Sequence, residues 1–565
     1  MAKKILSQKY FYGGISDSEK EGLKGSFQFA QNLNIYSEPT NLTLNPKSVK
    51  DSSNTIVGLV KWIVSGSPYN GKVYFYDDKG YIYSRLTSDG SWLNLQKTAN
   101  SYGQGMELYD DYIYYTQNTQ VGRYGPLAAG SPSFTDSWQT TLTDTSGTGK
   151  QIAPIKAFMG GLAVGHGNKL GWWDGAVWVL ARLTFPPGYN IRSLEVVDEF
   201  LVISTWKGSS ILNAESNILF FWDGSTTTYN FFIETPSNGI GALLNSKNRL
   251  LSISSLDGYL YVNYSPFQKL DKIPRLENSK YLEIYPGAAS NWRGQSVFGI
   301  SATTDSSTLQ QGVFQWGSKS DKYPEALTFG FTLSHGKTQG TNLHIGALKG
   351  IGDTLFVGWQ DATATTLTGI VFDNSSVDVV RGTKTGHGMA TGTIITVSGC
   401  TQAYANATWT ITRVNADTFT LDGASWASFT GADVTGNASI ASTYGVDKIL
   451  ITADPFPTGS YEGLIFDDNR PLQDKLALTL KVTHKALVTG ESIQLGYKAN
   501  RASSYTTGTA NSTVGSRVTR LPIQTDLARF EEFQYEIILA TSVSTSPTVT
   551  SVGLEYDDLI EETVV

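Results

Sequence analysis

The clearest indication of the architecture of this chain is the sequence Val73-Tyr74-Phe75-Tyr76-Asp77-Asp78-Lys79-Gly80-Tyr81-Ile82-Tyr83. It consists of an aromatic, apolar run, a turn that contains two aspartates and a glycine, and a second aromatic run. Asp and Gly between two apolar runs are a strong hairpin signal, because a tight hairpin turn needs residues that accept a positive φ. These residues therefore predict a β-hairpin.

Related phrases return at irregular intervals along the first half of the chain. They lie at 108–115, 170–175, 220–224 and 256–261. Apart from one longer interval, their spacing of roughly 35 to 50 residues is typical of one four-stranded propeller blade per repeat. Groups of strand-like residues predict about seven blades, at 56–92, 106–124, 155–178, 194–232, 243–262, 297–316 and 343–371. The predicted fold class is all-β, a β-propeller with about seven blades.

The composition agrees with an all-β protein. Among 565 residues there are 57 glycines, aromatic residues make up 12% and charged residues only 16%. Such a chain is rich in turn and strand formers and poor in the Glu, Lys and Arg that cover helix surfaces. We expect helices only as short segments, with the best candidates at 16–25 and 526–533.

Charge and cysteine content argue against several classes of function. The net charge is −7 and no basic run occurs, which argues against an electrostatic nucleic-acid surface. The first residues carry two lysines with no apolar stretch behind them, and no segment approaches a membrane span, so we expect neither a secretory signal nor membrane insertion. A single cysteine, Cys400, excludes an internal disulfide or a cysteine-based metal cluster, which fits assembly in a reducing cytoplasm.

Changes in amino-acid composition and strand pattern along the chain predict five segments. Residues 1–50 lack the hairpin phrase and predict an extended N-terminal arm, and residues 51–374 carry the propeller blades. Small polar residues at 375–440 interrupt the last blade and predict a small inserted β-domain, after which 441–452 return to that blade. Alternating strands at 453–565 predict a C-terminal β-sandwich.

The insert carries recognisable motifs. It combines a Gly386-His387-Gly388 turn with alternating strands at 391–399 and 409–412 and the sequence Asp417-Thr418-Phe419-Thr420-Leu421-Asp422-Gly423. These motifs resemble the small β-domain that is named after the first catalytic-cysteine half-domain of ubiquitin-activating enzymes and that recurs in virion proteins of tailed bacteriophages. Nothing in the chain resembles the adenylation domain of those enzymes, so ubiquitin activation is not implied.

The layout of arm, propeller with inserted β-domain and terminal sandwich is similar to large phage tail proteins, including the propeller-bearing nozzle proteins of short-tailed phages. The ending at 545–556 also resembles the last strands of phage tail modules. The resemblance implies a multi-copy structural protein of the tail or head-tail connector, located in the virion after assembly in the bacterial cytoplasm. Its implied partners are other virion proteins and further copies of itself.

The residues themselves indicate no catalytic, cofactor-binding or metal-binding site. Ser146–Lys150 lacks the first glycine and the magnesium-binding hydroxyl of a phosphate-binding loop. Cys400 is interpreted as a small packed side chain. The histidines never lie three or four residues apart, so no zinc pair is present, and His387 is interpreted as packing on the next strand. The five histidines are His166, His335, His344, His387 and His484.

Acidic pairs and tryptophans are the residues from which a sugar site could be built. Adjacent side chains in a strand point to opposite faces, so a neighbouring pair cannot by itself flank one sugar bond, and most pairs are interpreted as turn residues. The pairs are Asp77-Asp78, Asp110-Asp111, Asp198-Glu199 and Asp467-Asp468. Most tryptophans are interpreted as packing between blades. These are Trp172, Trp173, Trp178, Trp206, Trp222 and Trp316.

Three functions follow as hypotheses. The first is a non-enzymatic structural component of a tailed phage particle that acts by protein-protein assembly. The second is a distal tail adhesion protein whose insert or sandwich binds a host glycan. The third is a propeller glycosidase, since propeller channels host such sites.

Overall fold

The computed structural model is that of an all-β protein, and the residues that it describes contain no α-helix. The prediction of an all-β propeller is confirmed. The described residues of the two candidate segments form no helix. Residues 18–20 form a bend, residues 24–25 form a turn, and residues 529–530 form a strand. Residues 526–528 lie outside the described residues. The described residues are 3–16, 18–21, 24–35, 40–52, 56–86, 88, 90–97, 103–139, 142, 152–209, 211, 214–236, 239–254, 258–261, 270–273, 282–302, 312–318, 325–334, 343–361, 365–376, 379–387, 389, 393–401, 405–424, 434–440, 443–523 and 529–559.

Six short strands precede the first sheet of the propeller. They are β1 (Lys4–Gln8), β2 (Gly14–Ile15), β3 (Ser26–Gln31), β4 (Leu33–Asn34), β5 (Thr43–Leu44) and β6 (Ser48–Lys50).

Seven sheets in the described part of the chain form the propeller, six with four strands and one with five. The first four sheets are β7 (Val60–Ser65), β8 (Lys72–Asp77), β9 (Tyr81–Leu86), β10 (Trp92–Lys97); β11 (Gly105–Tyr109), β12 (Tyr112–Gln117), β13 (Gln120–Gly125), β14 (Ser133–Gln139); β15 (Ile155–Phe158), β16 (Gly161–His166), β17 (Lys169–Trp173), β18 (Trp178–Thr184); and β19 (Tyr189–Val197), β20 (Phe200–Gly208), β21 (Ala214–Trp222), β22 (Phe231–Glu234). The last three are β23 (Ile240–Ser246), β24 (Arg249–Ser254), β25 (Gly258–Tyr261), β26 (Leu270–Ile273); β27 (Leu282–Glu283), β28 (Ala289–Trp292), β29 (Gln295–Ala302), β30 (Gly312–Gly317), β31 (Ala326–Phe331); and β32 (Leu343–Ile351), β33 (Thr354–Asp361), β40 (Thr443–Leu450) with β6.

The sheets follow one another around a central channel. In the first five sheets the strands pair antiparallel with their neighbours in the chain, as hairpin connections require. The inner strand of each sheet packs next to that of the following sheet, in the order β7, β11, β15, β19, β23, β28 and β32, and β32 packs against β7. The ring of inner strands is therefore closed.

The last sheet is completed by residues from near the start of the chain. Its strand order is β32-β33-β40-β6. The buried carboxylate of Asp447 on β40 accepts hydrogen bonds from Ser48 Oγ on β6 at 2.6 Å, from Trp359 Nε1 on β33 at 2.7 Å and from the Ser334 backbone N–H at 2.6 Å. One buried acid thus fixes three separate segments.

Asp51 ties the last sheet to the first. Its carboxylate accepts two hydrogen bonds from the guanidinium of Arg85 on β9 and one from Trp92 Nε1 at 3.1 Å, and it pairs with Lys448 Nζ at 2.9 Å. The side chains of Asp51 and Arg85 are both almost fully buried. The residues immediately after β6 therefore close the ring.

A small closed barrel is inserted between β33 and β40. Its strands are β34 (Thr365–Ser376), β35 (Val379–Thr383), β36 (Ile394–Ser398), β37 (Thr408–Arg413), β38 (Thr418–Leu421) and β39 (Val434–Ile440). It has its own hydrophobic core, which includes Phe372, Ile395 and Phe419. The barrel begins at Thr365, earlier than the insert boundary predicted at 375.

The C-terminal region contributes strands to two further sheets. The strands are β41 (Thr458–Gly463), β42 (Lys475–His484), β43 (Glu491–Ala499), β44 (Thr506–Thr507), β45 (Val518–Pro522), β46 (Arg529–Phe530), β47 (Phe533–Thr541) and β48 (Val549–Asp558). One sheet has the order β1-β48-β42-β45, with β46 beside β42, and the other has the order β2-β3-β41-β47-β43-β44. Side chains of both sheets, such as Leu480 and Ile537, belong to one hydrophobic cluster.

The N-terminal segment differs from the extended arm predicted at 1–50. β1 pairs with β48, β3 pairs with β41, and β6 pairs with β40, so these strands are built into three different sheets, while β4 and β5 pair with each other. Apolar side chains such as Phe11 and Phe27 are fully buried in the C-terminal core. The physical reason is that these short strands complete sheet edges that residues far along the chain leave open.

The C-terminal sheets are joined to the propeller at its sixth sheet. β2 and β3 pack against β31, and one hydrophobic cluster runs from the C-terminal sheets to Phe314 and Trp316 of β30. Asn32 Oδ1 accepts hydrogen bonds from the Thr332 backbone N–H at 2.9 Å and from its hydroxyl at 2.7 Å. The propeller and the C-terminal sheets thus share a continuous core.

Candidate functional site

The outer edge of the propeller carries exposed apolar side chains. β10, β18 and β22 are the last strands of their sheets, and among the described strands each has a neighbour on one side only. Each exposes a large apolar residue, namely Leu93, Val179 and Phe232 respectively. An edge strand presents unpaired N–H and C=O groups, so apolar side chains beside them favour the docking of another chain.

The third sheet has the most exposed of these surfaces. Met159, in the turn before β16, is 67% exposed, and Val177, directly before β18, is 60% exposed. The turns that carry them are neighbours, because a Cβ at Gly175 would lie 4.0 Å from the carbonyl oxygen of Gly160. We call Met159, Val177 and Val179 the third-sheet patch. Covering such side chains is favourable by about 25 cal/mol per Å² of apolar surface.

The central channel encloses a cavity of about 310 Å³ lined by the inner strands. Glu107, Lys156 and Glu195 lie on the inner strands of three successive sheets, and Lys156 Nζ is 3.0 Å from Glu195 Oε1. Burial raises the pKa of Glu107, which favours its protonated form. Burial lowers the pKa of Lys156, but the charges of Glu195 and Glu107 outweigh it and leave that pKa above its usual value.

A second set of charges connects the first, fourth and sixth sheets. Arg192 Nη2 is 3.2 Å from Glu283 Oε1 and donates to the Ile284 carbonyl oxygen at 3.0 Å, and Lys61 Nζ lies 4.5 Å from the centre of the Tyr285 ring. Burial raises the pKa of Glu283, but Arg192 and Lys61 outweigh it and the net pKa is lowered. These pairs join residues of different sheets, so their evident physical effect is to hold the ring together.

The side chains of the described histidines contact other groups of the protein. His166 Nε2 lies 2.8 Å from the Leu180 carbonyl oxygen, and His484 Nε2 lies 3.0 Å from Thr519 Oγ1. The His387 ring packs edge-on against Phe419 of β38, whereas the sequence predicted packing on the strand that follows it in the chain. His344 Nδ1 lies 3.4 Å from the Tyr285 hydroxyl, and His335 lies outside the described residues.

The described part of the chain contains no group of three or more His, Cys, Asp and Glu side chains placed to hold a metal ion. Nor does it form a helix with the length and hydrophobicity of a membrane span. The Ser146–Lys150 loop lies outside the described residues. Cys400 is buried and its pKa is raised by that burial, as expected of a packed thiol.

The acidic pairs are not brought together into one site. Asp110 and Asp111 both have positive φ, in the tight turn between β11 and β12. Asp198 is likewise a positive-φ turn residue. Asp467 pairs with Lys20 at 2.9 Å and Asp468 with Lys4 at 3.1 Å, so the last pair anchors N-terminal residues.

Asp77 is the exception among these acids, because it is fully buried. Its carboxylate accepts hydrogen bonds from the Tyr83 hydroxyl at 3.0 Å and from the backbone N–H groups of Tyr81 at 2.8 Å and Lys79 at 3.0 Å. Burial raises the pKa of Asp77 to about 7, although these donors partly oppose the shift. Its neighbour Asp78 accepts a hydrogen bond from the Leu59 N–H at 3.0 Å.

The tryptophans serve mainly as packing. Trp222 is fully buried, and Trp172 meets it edge-on across the third and fourth sheets at 5.5 Å between ring centres. Trp173 contacts Tyr109 of the second sheet at 5.7 Å. Trp316 is buried, whereas Trp178 and Trp206 are half-buried. Aromatic rings thus lie between neighbouring sheets.

Sequence reasoning missed the charged residues of the channel. Glu107, Lys156 and Glu195 are isolated in the sequence, and none belongs to a motif. The available signal was a charged residue within the first strand of successive blade groups. A propeller brings equivalent positions of its inner strands together around one axis, so such residues meet.

Comparison with known proteins leaves the family open. No protein-family model matches the chain, and a search of curated proteins finds no similar sequence. Among solved structures, Raptor from Chaetomium thermophilum is similar with a TM-score of 0.39 and 12% identity, over 58% of this chain and 28% of that one. The β-propeller domain of Cps50 (Swd1) from Myceliophteria thermophila is similar with a TM-score of 0.37 and 10% identity, over 55% of this chain and 95% of that one.

This chain therefore covers 28% of the length of the Raptor chain. U3-55K gives a comparable result, with a TM-score of 0.37 and 10% identity over 55% of this chain and 92% of that one. All three TM-scores lie below 0.5, so these similarities carry no argument about function. What the chain shares with them is the β-propeller fold, which its own strand pairing displays.

Proposed function

We propose that this protein is a non-enzymatic structural component of a tailed bacteriophage particle. It acts by protein-protein assembly, in several copies, in the tail or the head-tail connector. The proposal draws on the resemblance of the insert to a β-domain found in phage virion proteins and on the layout of propeller, inserted barrel and C-terminal sheets. The bacterial cytoplasm is the proposed place of assembly.

The observation that carries the proposal is the third-sheet patch. Val177 and Val179 expose apolar surface at an open strand edge, and Met159 exposes more in the neighbouring turn. β10 and β22 repeat the exposed edge on the first and fourth sheets. Surfaces of this kind are costly for a protein that remains alone, because they invite edge-to-edge association. They are well suited to a protein whose outer edge is covered by neighbours in an assembly.

Internal rigidity supports the same proposal. The N-terminal strands, the propeller and the C-terminal sheets share hydrogen bonds and a continuous hydrophobic cluster. A protein with a continuous core of this kind holds its contact surfaces at fixed positions relative to one another. Such behaviour is required of a connector or tail subunit.

The patch is tested by a charge substitution in its centre. The double variant Val177→Asp and Val179→Asp places two carboxylates beside the open edge, where burial against a partner is unfavourable. We expect its incorporation into particles to fall at least tenfold in a complementation assay, and any self-assembly seen by light scattering to fall in parallel. The matched control is Val414→Asp with Val514→Asp, whose valines are similarly exposed on the barrel and the C-terminal region.

Normal incorporation of the patch variant, with a melting temperature equal to that of the control, would rule out the patch as an assembly surface. The location in the particle is tested separately by immunogold electron microscopy with an antibody against residues 365–440. Label at the head-tail junction or along the tail supports the structural role. Label only at fibre tips assigns the protein to receptor adhesion instead, and particles without the protein contradict both.

A further inference from the structure

The cavity of the central channel is lined by four charged residues. Its volume of about 310 Å³ falls within the size range of small-molecule sites. The charged residues among its described lining are two acids and two lysines, so their ionised forms balance to a net charge of zero. They are Glu107, Lys156, Glu195 and Lys349.

The four residues lie at one level of the channel. Each is placed three residues before a positive-φ residue in the turn that ends its inner strand. These turn residues are Asp110, Met159, Asp198 and Gly352. Because three residues of a strand span about 10 Å, the four charged residues lie about 10 Å below the turns at one mouth of the channel.

The Glu107 carboxylate lies near the axis of the ring. Its residue belongs to the second sheet, yet Lys156, Glu195 and Lys349 are all close enough for their charges to act on its pKa. These three residues belong to the third, fourth and seventh sheets. The fourth and seventh sheets lie on opposite sides of the second sheet in the ring, so only a position in the channel is close to both.

Two of the four charges form an ion pair, and the other two do not. Lys156 Nζ is 3.0 Å from Glu195 Oε1. Within the part of the chain that the structure describes, neither Glu107 nor Lys349 takes part in an ion pair. The Glu107 carboxylate accepts a hydrogen bond from the Leu108 backbone N–H at 3.2 Å. Opposite charges therefore border one cavity without contacting each other, and a charge that is withdrawn from water without a partner is unfavourable.

Backbone groups supply further hydrogen bonds to the cavity. Among the described strands, each inner strand has a hydrogen-bonded neighbour on one side only. Its other edge carries N–H and C=O groups towards the channel. Donors for a carboxylate and acceptors for an ammonium are thus available beside the charged side chains.

We propose that the channel cavity binds a small zwitterion, a molecule with one ammonium and one carboxylate such as an amino acid. The ammonium pairs with Glu107 and the carboxylate pairs with Lys349. Both charges then gain a partner, while the net charge of the cavity does not change. The inference does not depend on the assembly role, because the third-sheet patch lies at the outer edge of the propeller.

The experiment is calorimetric titration of 4-aminobutyrate into the full-length protein. Butyrate, which lacks the ammonium, and butylamine, which lacks the carboxylate, are the matched probes with the same carbon chain. We expect 4-aminobutyrate to bind at least tenfold more tightly than either of them. Equal binding of butyrate would mean a simple anion site and would overturn the proposal, as would no binding of 4-aminobutyrate.

Two substitutions assign the two ends of the ligand. Glu107→Gln should weaken binding of 4-aminobutyrate at least tenfold and leave binding of butyrate unchanged. Lys349→Met should weaken 4-aminobutyrate equally and leave binding of butylamine unchanged. Unchanged binding of the single-charge probe also shows that the variant is folded. Normal binding of 4-aminobutyrate by either variant would contradict the assignment.

Proton release gives an independent readout of Glu107. Burial raises the pKa of this carboxyl, and a bound ammonium lowers the pKa again, so binding should release protons at mildly acidic pH. Titrations in two buffers with different enthalpies of ionisation measure the release. It should be absent in Glu107→Gln, and its absence in the unaltered protein would contradict the pairing of the ammonium with Glu107.

Matched controls separate the site from general effects of charge. Glu199→Gln and Lys247→Met remove exposed charges from turns of the fourth and fifth sheets, outside the described lining of the cavity. Both should bind 4-aminobutyrate like the unaltered protein. The patch variant Val177→Asp with Val179→Asp should also bind normally, so failure of assembly and failure of this site are distinguishable.

Discussion

At the scale of single residues, buried acids determine much of the chemistry of this protein. Asp447 and Asp51 accept several strong hydrogen bonds where segments meet, whereas Asp77 lies inside the first sheet with a raised pKa. The sequence shows Asp77-Asp78 only as a turn, because a strand end and a turn look alike when burial is unknown. Which acid becomes buried depends on the sheets that pack around it.

Asp77 predicts a pH-dependent stability. Its folded pKa of about 7 lies above the unfolded value of about 4, so the folded state binds the proton more tightly. Stability from this group is present at low pH and is lost as the pH rises from about 4 to about 7. Between pH 4 and pH 8, the free energy of unfolding of the unaltered protein should fall by on the order of 2–4 kcal/mol relative to that of Asp77→Asn. Urea unfolding across this pH range measures the free energy of unfolding of both proteins. Parallel pH profiles of the two proteins would contradict the prediction.

Asp51 predicts a large local effect. Asp51→Ala leaves the buried guanidinium of Arg85 without its carboxylate and opens the junction of the last and first sheets. We expect a loss of about 3–5 kcal/mol in the free energy of unfolding, measured by urea denaturation. Asp353→Ala is the control, since its exposed pair with Arg293 should contribute under about 1 kcal/mol. Equal effects of the two substitutions would show that Asp51 does not fix the closure.

At the scale of strands, the recurring hairpin phrase explains why the sequence predicts hairpins correctly but predicts their positions within each sheet only imprecisely. At 73–83 it joins the second and third strands of a sheet, at 108–115 the first and second, and at 220–224 it follows the third. The phrase therefore marks hairpins correctly but marks different turns in different sheets, which makes its intervals irregular. The turn at Leu256-Asp257 lies outside the described residues.

Strand β1 predicts a protected sheet edge. It pairs with β48 from Lys4 to Gln8, and Lys4 Nζ is 2.7 Å from Asp558 Oδ2. Deleting residues 1–8 removes this cover, so we expect amide hydrogen exchange in β48 to rise at least tenfold while β43 in the other sheet is unaffected. Mass-spectrometric exchange measures both strands. Unchanged exchange in β48 would mean that β1 does not cover that edge in solution.

At the scale of the whole molecule, the sequence pattern predicts the propeller but not how its parts are connected. Strand runs and turns are local signals, so the blade groups are readable from the sequence. The pairing of residues 48–50 with β40 joins segments that are far apart in the chain, and no pattern in the short sequence Ser48-Val49-Lys50 predicts it. The charges of the channel were missed for the same reason.

The connectivity predicts opposite results for two deletions. The barrel enters and leaves between β33 and β40, which pair directly, so replacing residues 362–442 by a short Gly-Asn-Gly turn should leave the propeller folded. Removing residues 1–50 takes away β6 and should cause loss of cooperative unfolding. Calorimetry and circular dichroism compare the two. A folded propeller without residues 1–50 would contradict the role given to β6.

The order of strands in the last sheet also has a consequence for synthesis on the ribosome. β6 emerges early, but its partner β40 is made only after the other six sheets and the whole barrel. The ring of sheets in the nascent propeller therefore stays incomplete, with β6 unpaired, until residue 450 leaves the exit tunnel. During this long interval its free edges are exposed to wrong partners, so newly made chains should depend on holding chaperones far more than the finished protein does.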